Sequence, residues 1–135
     1  MNIQGIIKKI DGEKVGIFGL TTAETASLSS PGEIIFEDYK VEAEKAVKAF
    51  EGQKVDKIIA ITHIGYDDNE TIDNDLKLAA EVEGIDVIVG GHSHTALNEP
   101  KVIDAEGTPT LIVQTGNANS NLGLLDVEFD NKGNI

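Results

Sequence analysis

The chain contains three histidines, and each one follows a short apolar stretch of sequence. His92 and His94 come after residues 87–89 and a pair of glycines, and His63 ends a similar stretch that begins at residue 57. Neutral imidazole is a preferred ligand of zinc, iron, nickel, copper and manganese. We therefore interpret the three rings as candidate ligands of one metal ion, or of two neighbouring ions.

The spacing of His92 and His94 supports this interpretation. In an extended segment, residues two apart point to the same side, with Cα atoms about 7 Å apart. Gly90 and Gly91 remove side chains beside this pair, and we expect the backbone there to pass close to an ion or a phosphate group. A lone histidine such as His63 is also common as a hydrogen-bonded loop residue, so the metal assignment depends on the joint pattern.

Nearby carboxylates are a second set of candidates. Three neutral imidazoles do not balance the charge of two divalent ions, so a dinuclear site would need carboxylate ligands as well. Asp67 and Asp68 follow His63 closely and could reach the site, although a solvated acidic loop is the alternative interpretation. Asp73 is expected to cap the helix that follows it rather than to bind a metal.

The histidines need secondary structure that brings them to one place. Residues 57–63 and 86–89 are predicted as strands, and residues 72–83 between them as a helix that Gly84 ends. Two strands joined by such a helix run parallel. Ligands of open α/β sheets bind at the edge where parallel strands end. The pattern therefore predicts that His63, His92 and His94 share that edge.

The other segments are expected to complete a single α/β domain. Asp11 and Gly12 between two β-rich runs, residues 3–10 and 14–20, are typical of a hairpin. Residues 39–50 are predicted as a helix capped by Asp38 and Gly52. The remaining predictions are a short strand or extended edge (34–36), strands (110–114 and 122–129), loops (21–31, 65–70 and 115–121), a turn region between Pro100 and Pro109 that includes Glu106 and Gly107, and a turn (130–133).

Composition limits the classes of function. A net charge of −13 over 135 residues disfavours binding to nucleic acid or to anionic membranes. The absence of cysteine excludes disulfides and thiolate metal sites. No apolar run approaches the ~20 residues that a membrane helix needs. The first residues lack the pattern of a signal peptide, so we expect none in this chain, and its cellular location stays open.

Three stretches taken together resemble one family closely. Residues 61–65 (ITHIG), 83–86 (EGID) and 87–95 (VIVGGHSHT) are similar to the 5′-nucleotidase branch of the calcineurin-like metallophosphoesterases. Residues 11–21, 107–116 and 122–127 extend the resemblance over nearly the whole chain. It implies an α/β fold, half of an αββα sandwich, with a mixed sheet and helices packed on one face.

The resemblance also implies roles for residues. His63 and His92 match two ligands of one metal ion, and His94 matches a ligand of the other. In the family, two divalent ions (zinc, manganese or iron) hold a phosphate ester and activate a water molecule. Three further family blocks, Asp-x-His, Gly-Asp-x-x-Asp and Gly-Asn-His, have no counterpart in this sequence. No catalytic residue is therefore assigned within the chain.

We accordingly expect residues 1–135 to be the C-terminal portion of a metallophosphoesterase catalytic domain that is inactive alone. The parent would hydrolyse a phosphate ester of a nucleotide or cyclic nucleotide. Half of a sandwich leaves an apolar sheet face uncovered, which predicts a homodimer. Two alternatives stay open: a non-catalytic metal-binding or interaction module, and an α/β scaffold whose histidines are incidental.

Overall fold

The computed structural model describes residues 5–67, 69–105 and 108–135. Within these residues, the strands are β1 (Gly5–Ile10), β2 (Glu13–Thr21), β3 (Lys57–His63), β4 (Val87–Val89), β5 (Lys101–Ala105) and β6 (Thr108–Val113). The helices are α1 (Thr25–Leu28), α2 (Tyr39–Glu51) and α3 (Asp75–Glu81). The strands form one mixed sheet in the order β1-β2-β3-β4-β6-β5.

The four central strands run parallel to one another, and β1 and β5 pair antiparallel at the two sides. β3 and β4 pair in parallel with α3 between them in sequence, so the predicted strand–helix–strand unit is confirmed. The α/β class and the mixed sheet are confirmed as well. As a result β3 ends at His63 beside the end of β4, and the loop that carries His92 starts from the same edge.

The predicted hairpin and the helix predicted over residues 39–50, which is α2, are also confirmed. Asp11 and Gly12 have φ angles of 50° and 93°, the pair of positive values that a type I′ turn requires. The side chain of Asp38 accepts hydrogen bonds from the backbone N–H groups of Lys40 and Val41 at the start of α2. Gly52 occupies the C-cap position, with right-handed rather than left-handed backbone.

The helices α2 and α3 cover one face of the sheet, which we call the closed face. Because side chains alternate along a strand, Phe18, Ala60, Ile88 and Ile112 form one row across four paired strands. All four are buried and belong to one core cluster with residues of α2 and α3. Phe50 of α2 is fully buried there, so the closed face holds a complete hydrophobic core.

The opposite face, which we call the open face, carries no helix among the described residues. It presents a second apolar row that crosses all six strands: Ile6, Ile17, Ile59, Val87, Leu111 and Val102. In a neighbouring row, Ile61 and Val89 are paired and are 54% and 41% exposed. This face is apolar in composition but only partly removed from water.

The strand predicted over residues 122–129 is wrong, since no strand forms there. A strand needs a partner edge, and this segment instead runs beside the open face. Leu122 and Leu125 line a cavity together with Val89 and Val113. Farther along, the Phe129 ring lies 5.5 Å from Nζ of Lys57. Every second side chain from residue 125 to 129 is half-buried, which explains the strand-like alternation in the sequence.

Other local predictions also need correction. Residues 34–36 form no strand, and Ile34 and Ile35 are exposed. The helix predicted over residues 72–83 is α3, whose N-cap is Asn74 and whose C-cap is Val82, so the predictions that Asp73 caps it and that Gly84 ends it are wrong. The Asn74 side chain accepts from the Lys77 N–H. The region between the prolines contains β5, which the turn interpretation missed; Glu106 and Gly107 lie outside the described residues.

Candidate functional site

His63 and His92 come together at the edge where β3 and β4 end. Their ring centroids are 5.1 Å apart, and the rings meet edge to face at 74°. His63 is the last residue of β3 and pairs with Thr21 of β2, whereas His92 lies three residues beyond β4. The parallel pairing of the two strands thus produces the predicted convergence of these two imidazoles.

His94 does not follow the geometry expected from its spacing. His92 and His94 have φ angles of 79° and 57°, both in the left-handed region, so the segment is not extended. The same-side argument, which assumes an extended backbone, is therefore wrong for this pair. His94 is exposed, and its role as a ligand stays a prediction.

The loop that carries the two histidines is held by Gln114, which is 2% exposed. Oε1 of Gln114 accepts from the Thr95 N–H at 2.6 Å and from the Ser93 hydroxyl at 3.1 Å. Its Nε2 donates to the carbonyl oxygen of Gly91 at 3.3 Å. The side chain just after β6 therefore fixes the backbone on both sides of His92. Sequence reasoning missed Gln114, whose signal is a polar residue directly after an apolar strand.

The two glycines of the loop pack closely against other parts of the chain, and Gly90 leaves no room for a side chain. A Cβ atom on Gly90 would lie 2.2 Å from Oδ2 of Asp75, a fully buried carboxylate. A Cβ atom on Gly91 would lie 3.1 Å from Nδ1 of His63 and 3.3 Å from the Thr62 carbonyl oxygen. Oδ1 of Asp75 accepts from the Thr62 hydroxyl at 2.6 Å. The glycines thus let a carboxylate and an imidazole lie against the backbone.

A carboxylate that sequence reasoning missed contacts His92. Oε2 of Glu24 lies 3.2 Å from Nε2 of His92, and Oε1 accepts from the Asn69 amide at 3.1 Å. Glu24 precedes α1 in a stretch interpreted as plain loop. Asp73, 1% exposed, accepts from the Thr22 hydroxyl and the Ala23 N–H, so it ties that stretch to the loop after β3.

The predicted carboxylate ligands remain without support. Asp67 is exposed, and Asp68 lies outside the described residues. In residues 5–67, 69–105 and 108–135, no group of three or more His, Cys, Asp or Glu side chains is arranged to hold a metal ion. The donor pair His63 and His92 fits a metal that prefers nitrogen ligands, with further ligands required to complete its coordination.

Asp86 is a carboxyl group whose pKa lies well above its ordinary value, and it is remote from the histidines. It precedes β4 and accepts from the Ile58 N–H at 2.6 Å. Burial raises the pKa of Asp86 from 3.8 to about 6. Because Asp86 is at the opposite end of β4 from His92, we interpret this shift as structural rather than functional.

The longest helix that the structure describes has 13 residues, and none is long and apolar enough to cross a membrane.

Comparisons with known proteins agree with the fold and the sequence motifs. The chain is 48% identical over 130 residues to the trifunctional nucleotide phosphoesterase protein YfkN of Bacillus subtilis, covering 95% of this chain and 8% of that protein. It is 36% identical to the 5′-nucleotidase of Rattus norvegicus over 96% of this chain and 24% of that protein. The chain therefore spans a quarter or less of the length of these relatives. No family model matches the sequence.

Solved structures of nucleotidases also match this chain over most of its length. The structure of a 5′-nucleotidase precursor from Thermus thermophilus superposes with a TM-score of 0.88 at 39% identity, over 97% of this chain and 27% of that one. The NAD nucleotidase of Haemophilus influenzae superposes with a TM-score of 0.74 at 29% identity, over 82% of this chain and 24% of that one.

Proposed function

We propose that this chain, which is homologous to one segment of the 5′-nucleotidases, is the C-terminal portion of a metallophosphoesterase catalytic domain. Its relatives match it over nearly its full length but extend far beyond it. The three family blocks that are missing from this sequence would then belong to a part of the domain that is not included in residues 1–135. The whole domain would hydrolyse a phosphate ester of a nucleotide or cyclic nucleotide.

The pairing of His63 and His92 at the carboxyl edge of the sheet is the observation that carries this proposal. In it, these two imidazoles hold one divalent ion, and His94 contributes to the second. The backbone at Gly90 and Gly91 faces the phosphate. When bound, two such ions (zinc, manganese or iron) would neutralise the charge of the phosphate and activate a water molecule for in-line attack.

Metal titration tests the proposed ligands. We expect calorimetry to detect binding of Mn²⁺ or Zn²⁺ by the chain, and His63→Asn or His92→Asn to weaken it by at least about 10-fold. Glu33→Gln, at an exposed residue of another loop, serves as the control and should leave the affinity unchanged. Absence of binding at micromolar metal would instead favour an α/β scaffold with incidental histidines.

Hydrolysis tests whether the site is incomplete. With added Mn²⁺ or Zn²⁺ and a chromogenic phosphate ester, we expect no turnover above that of the metal alone, because half of the ligand set is missing. Robust hydrolysis that disappears in His92→Asn would contradict an incomplete site.

A non-catalytic metal-binding or interaction module is the second candidate. It would keep the His63–His92 pair as a weak metal site and would require no further ligands from outside this chain. Both candidates allow weak metal binding without turnover. The reading frame upstream of Met1 separates them, because the phosphoesterase requires the three missing family blocks there.

We also propose that the isolated chain forms a homodimer through the open face. The support is the apolar row across six strands and the exposure of Ile61 and Val89. A two-fold arrangement would bury this face of both copies. Light scattering coupled to size-exclusion chromatography should give the mass of a dimer; a monomer at high concentration would contradict it.

A further inference from the structure

We propose that Glu24 is the positioning residue of His92, because it selects which ring nitrogen carries the hydrogen and which one is left to bind a metal ion. In this assignment Nε2 of His92 is the N–H donor, and the lone pair is on Nδ1. The inference deepens the proposed function and rests on the ligand role proposed for His92.

The contact between the two side chains has the geometry of a hydrogen bond. Oε2 of Glu24 lies 3.2 Å from Nε2 of His92. The two side chains are only 26% and 22% exposed, so the contact is partly shielded from water. Glu24 and His92 are 68 residues apart in sequence, so tertiary structure rather than local chain geometry brings them together.

The carboxylate of Glu24 is held at its other oxygen as well. Oε1 accepts from the Asn69 side-chain amide at 3.1 Å. An amide N–H from Asn69 on one oxygen leaves the other oxygen directed at His92. Such a two-sided arrangement restricts the rotation of the carboxylate, which a single contact would not do.

The backbone that carries Glu24 is fixed by the buried carboxylate of Asp73. Oδ2 of Asp73 accepts from the Ala23 N–H at 2.8 Å, and Oδ1 accepts from the Thr22 hydroxyl at 3.0 Å. The Thr22 hydroxyl oxygen in turn accepts from the Glu24 N–H at 3.1 Å. Asp73 therefore supports Glu24, and it binds no part of the histidine pair itself.

The chemistry of the two groups determines which of them donates the hydrogen bond. An ionised carboxylate only accepts hydrogen bonds, and a neutral imidazole has one N–H and one lone pair. A carboxylate at Nε2 therefore favours the form with the hydrogen on Nε2. Metal-binding histidines commonly donate their second ring N–H to a carboxylate, which fixes the ring and strengthens the bond to the metal.

The hydrogen position can be measured on the metal-free chain. Long-range proton–nitrogen NMR correlations of a ¹⁵N-histidine-labelled sample, at mildly alkaline pH, distinguish the N–H nitrogen from the bare nitrogen of each ring. The His92 signals are identified by their loss in His92→Asn. We expect Nε2 of His92 to carry the hydrogen. A hydrogen on Nδ1, or an even mixture, overturns the proposal with no variant needed.

The variant Glu24→Gln sharpens the test. Glutamine keeps the length of the side chain, but its amide can both donate and accept, so it no longer selects one form of the ring. We expect the His92 signals to shift toward a mixture, and the affinity for Mn²⁺ to fall by about 10- to 100-fold. The control Glu33→Gln should change neither. An unchanged hydrogen position in a folded Glu24→Gln chain would show that Glu24 does not select the form of the His92 ring, and would overturn the proposal.

The outcomes separate this inference from the proposed function. If His92 carries its hydrogen on Nε2 in the unmodified chain and loses this preference in Glu24→Gln, the positioning role holds even where no metal binds. If metal binds with the affinity expected and the hydrogen is on Nδ1, the proposed function survives and the role of Glu24 does not.

Discussion

The two faces of the sheet carry similar residues in different surroundings. On the closed face, Ala60 and Ile88 are fully buried beneath α2 and α3. On the open face, Ile61 and Val89, their neighbours along the same strands, are 54% and 41% exposed. Apolar side chains on both faces are the signature of strands that are covered on both sides. The difference between the faces thus lies in what covers them and not in their composition.

The largest expected effect is on the free energy of unfolding, when one of two isoleucines on opposite faces of β3 is truncated to alanine. Ile58 is on the closed face and 2% exposed, whereas Ile61 is on the open face. Ile58→Ala should lower the free energy of unfolding by about 3 kcal/mol, because it removes buried methyl groups and leaves a cavity. Ile61→Ala should lower it by less than about 1 kcal/mol.

Urea denaturation followed by circular dichroism measures both variants, at a protein concentration low enough to keep the chain monomeric. Equal losses of unfolding free energy in the two variants would contradict the proposed difference between the faces, since they would mean that the open face is as well packed as the closed one.

A smaller effect is expected at Asp86, which is on the same side of its strand as Ile88. Its pKa of about 6 in the folded chain exceeds the ordinary 3.8 because burial disfavours the charge. Between these values the folded chain binds more protons than the unfolded chain, so this group adds stability as the pH falls and loses it as the pH rises through 6.

Relative to Asp86→Asn, the unmodified chain should gain about 1 kcal/mol of unfolding free energy from pH 7 to pH 4.5, with the full linkage value reduced for partial exposure. Urea titrations at both pH values measure it, with Asp126→Asn at an exposed carboxylate as the control. If the difference in unfolding free energy between Asp86→Asn and the unmodified chain is the same at both pH values, the closed face does not desolvate this carboxyl group.

The smallest effect on stability, but a decisive one on assembly, is expected for Ile61→Lys. A lysine on the open face opposes burial of that face between two copies, so the mass from light scattering should fall to that of one chain. The free energy of unfolding at low concentration should change by less than about 0.5 kcal/mol. Leu28→Lys, at an apolar residue of α1 that is 71% exposed, is the control and should leave the dimer intact.

The sequence was sufficient to predict elements whose signals are local. The Asp11–Gly12 turn, the cap at Asp38 and the parallel pairing of β3 with β4 all follow from short patterns. The strand predicted over residues 122–129 was wrong because alternation reports a half-buried segment and says nothing about whether an edge is available to pair with it.

The candidate site was predictable only in part, for a similar reason. His63 and His92 converge because strand ends converge, which topology alone determines. Glu24 and Gln114 were missed because their partners lie 68 and 23 residues away in sequence, and no spacing rule connects them. The extended backbone assumed between His92 and His94 was wrong because both residues, neither of them glycine, have left-handed φ angles.

The left-handed backbone at His92 and His94 affects which substitutions can remove their imidazole rings cleanly. Glycine adopts positive φ without cost, whereas histidine and alanine both have a Cβ atom that costs roughly 1 kcal/mol there. Alanine at His92 or His94 would therefore remove the ring and keep this backbone strain, whereas glycine would remove the ring and relieve the strain as well. Replacement by asparagine keeps the turn while removing the ring, and among related chains we expect these two positions to exchange with asparagine or glycine more readily than with any β-branched residue.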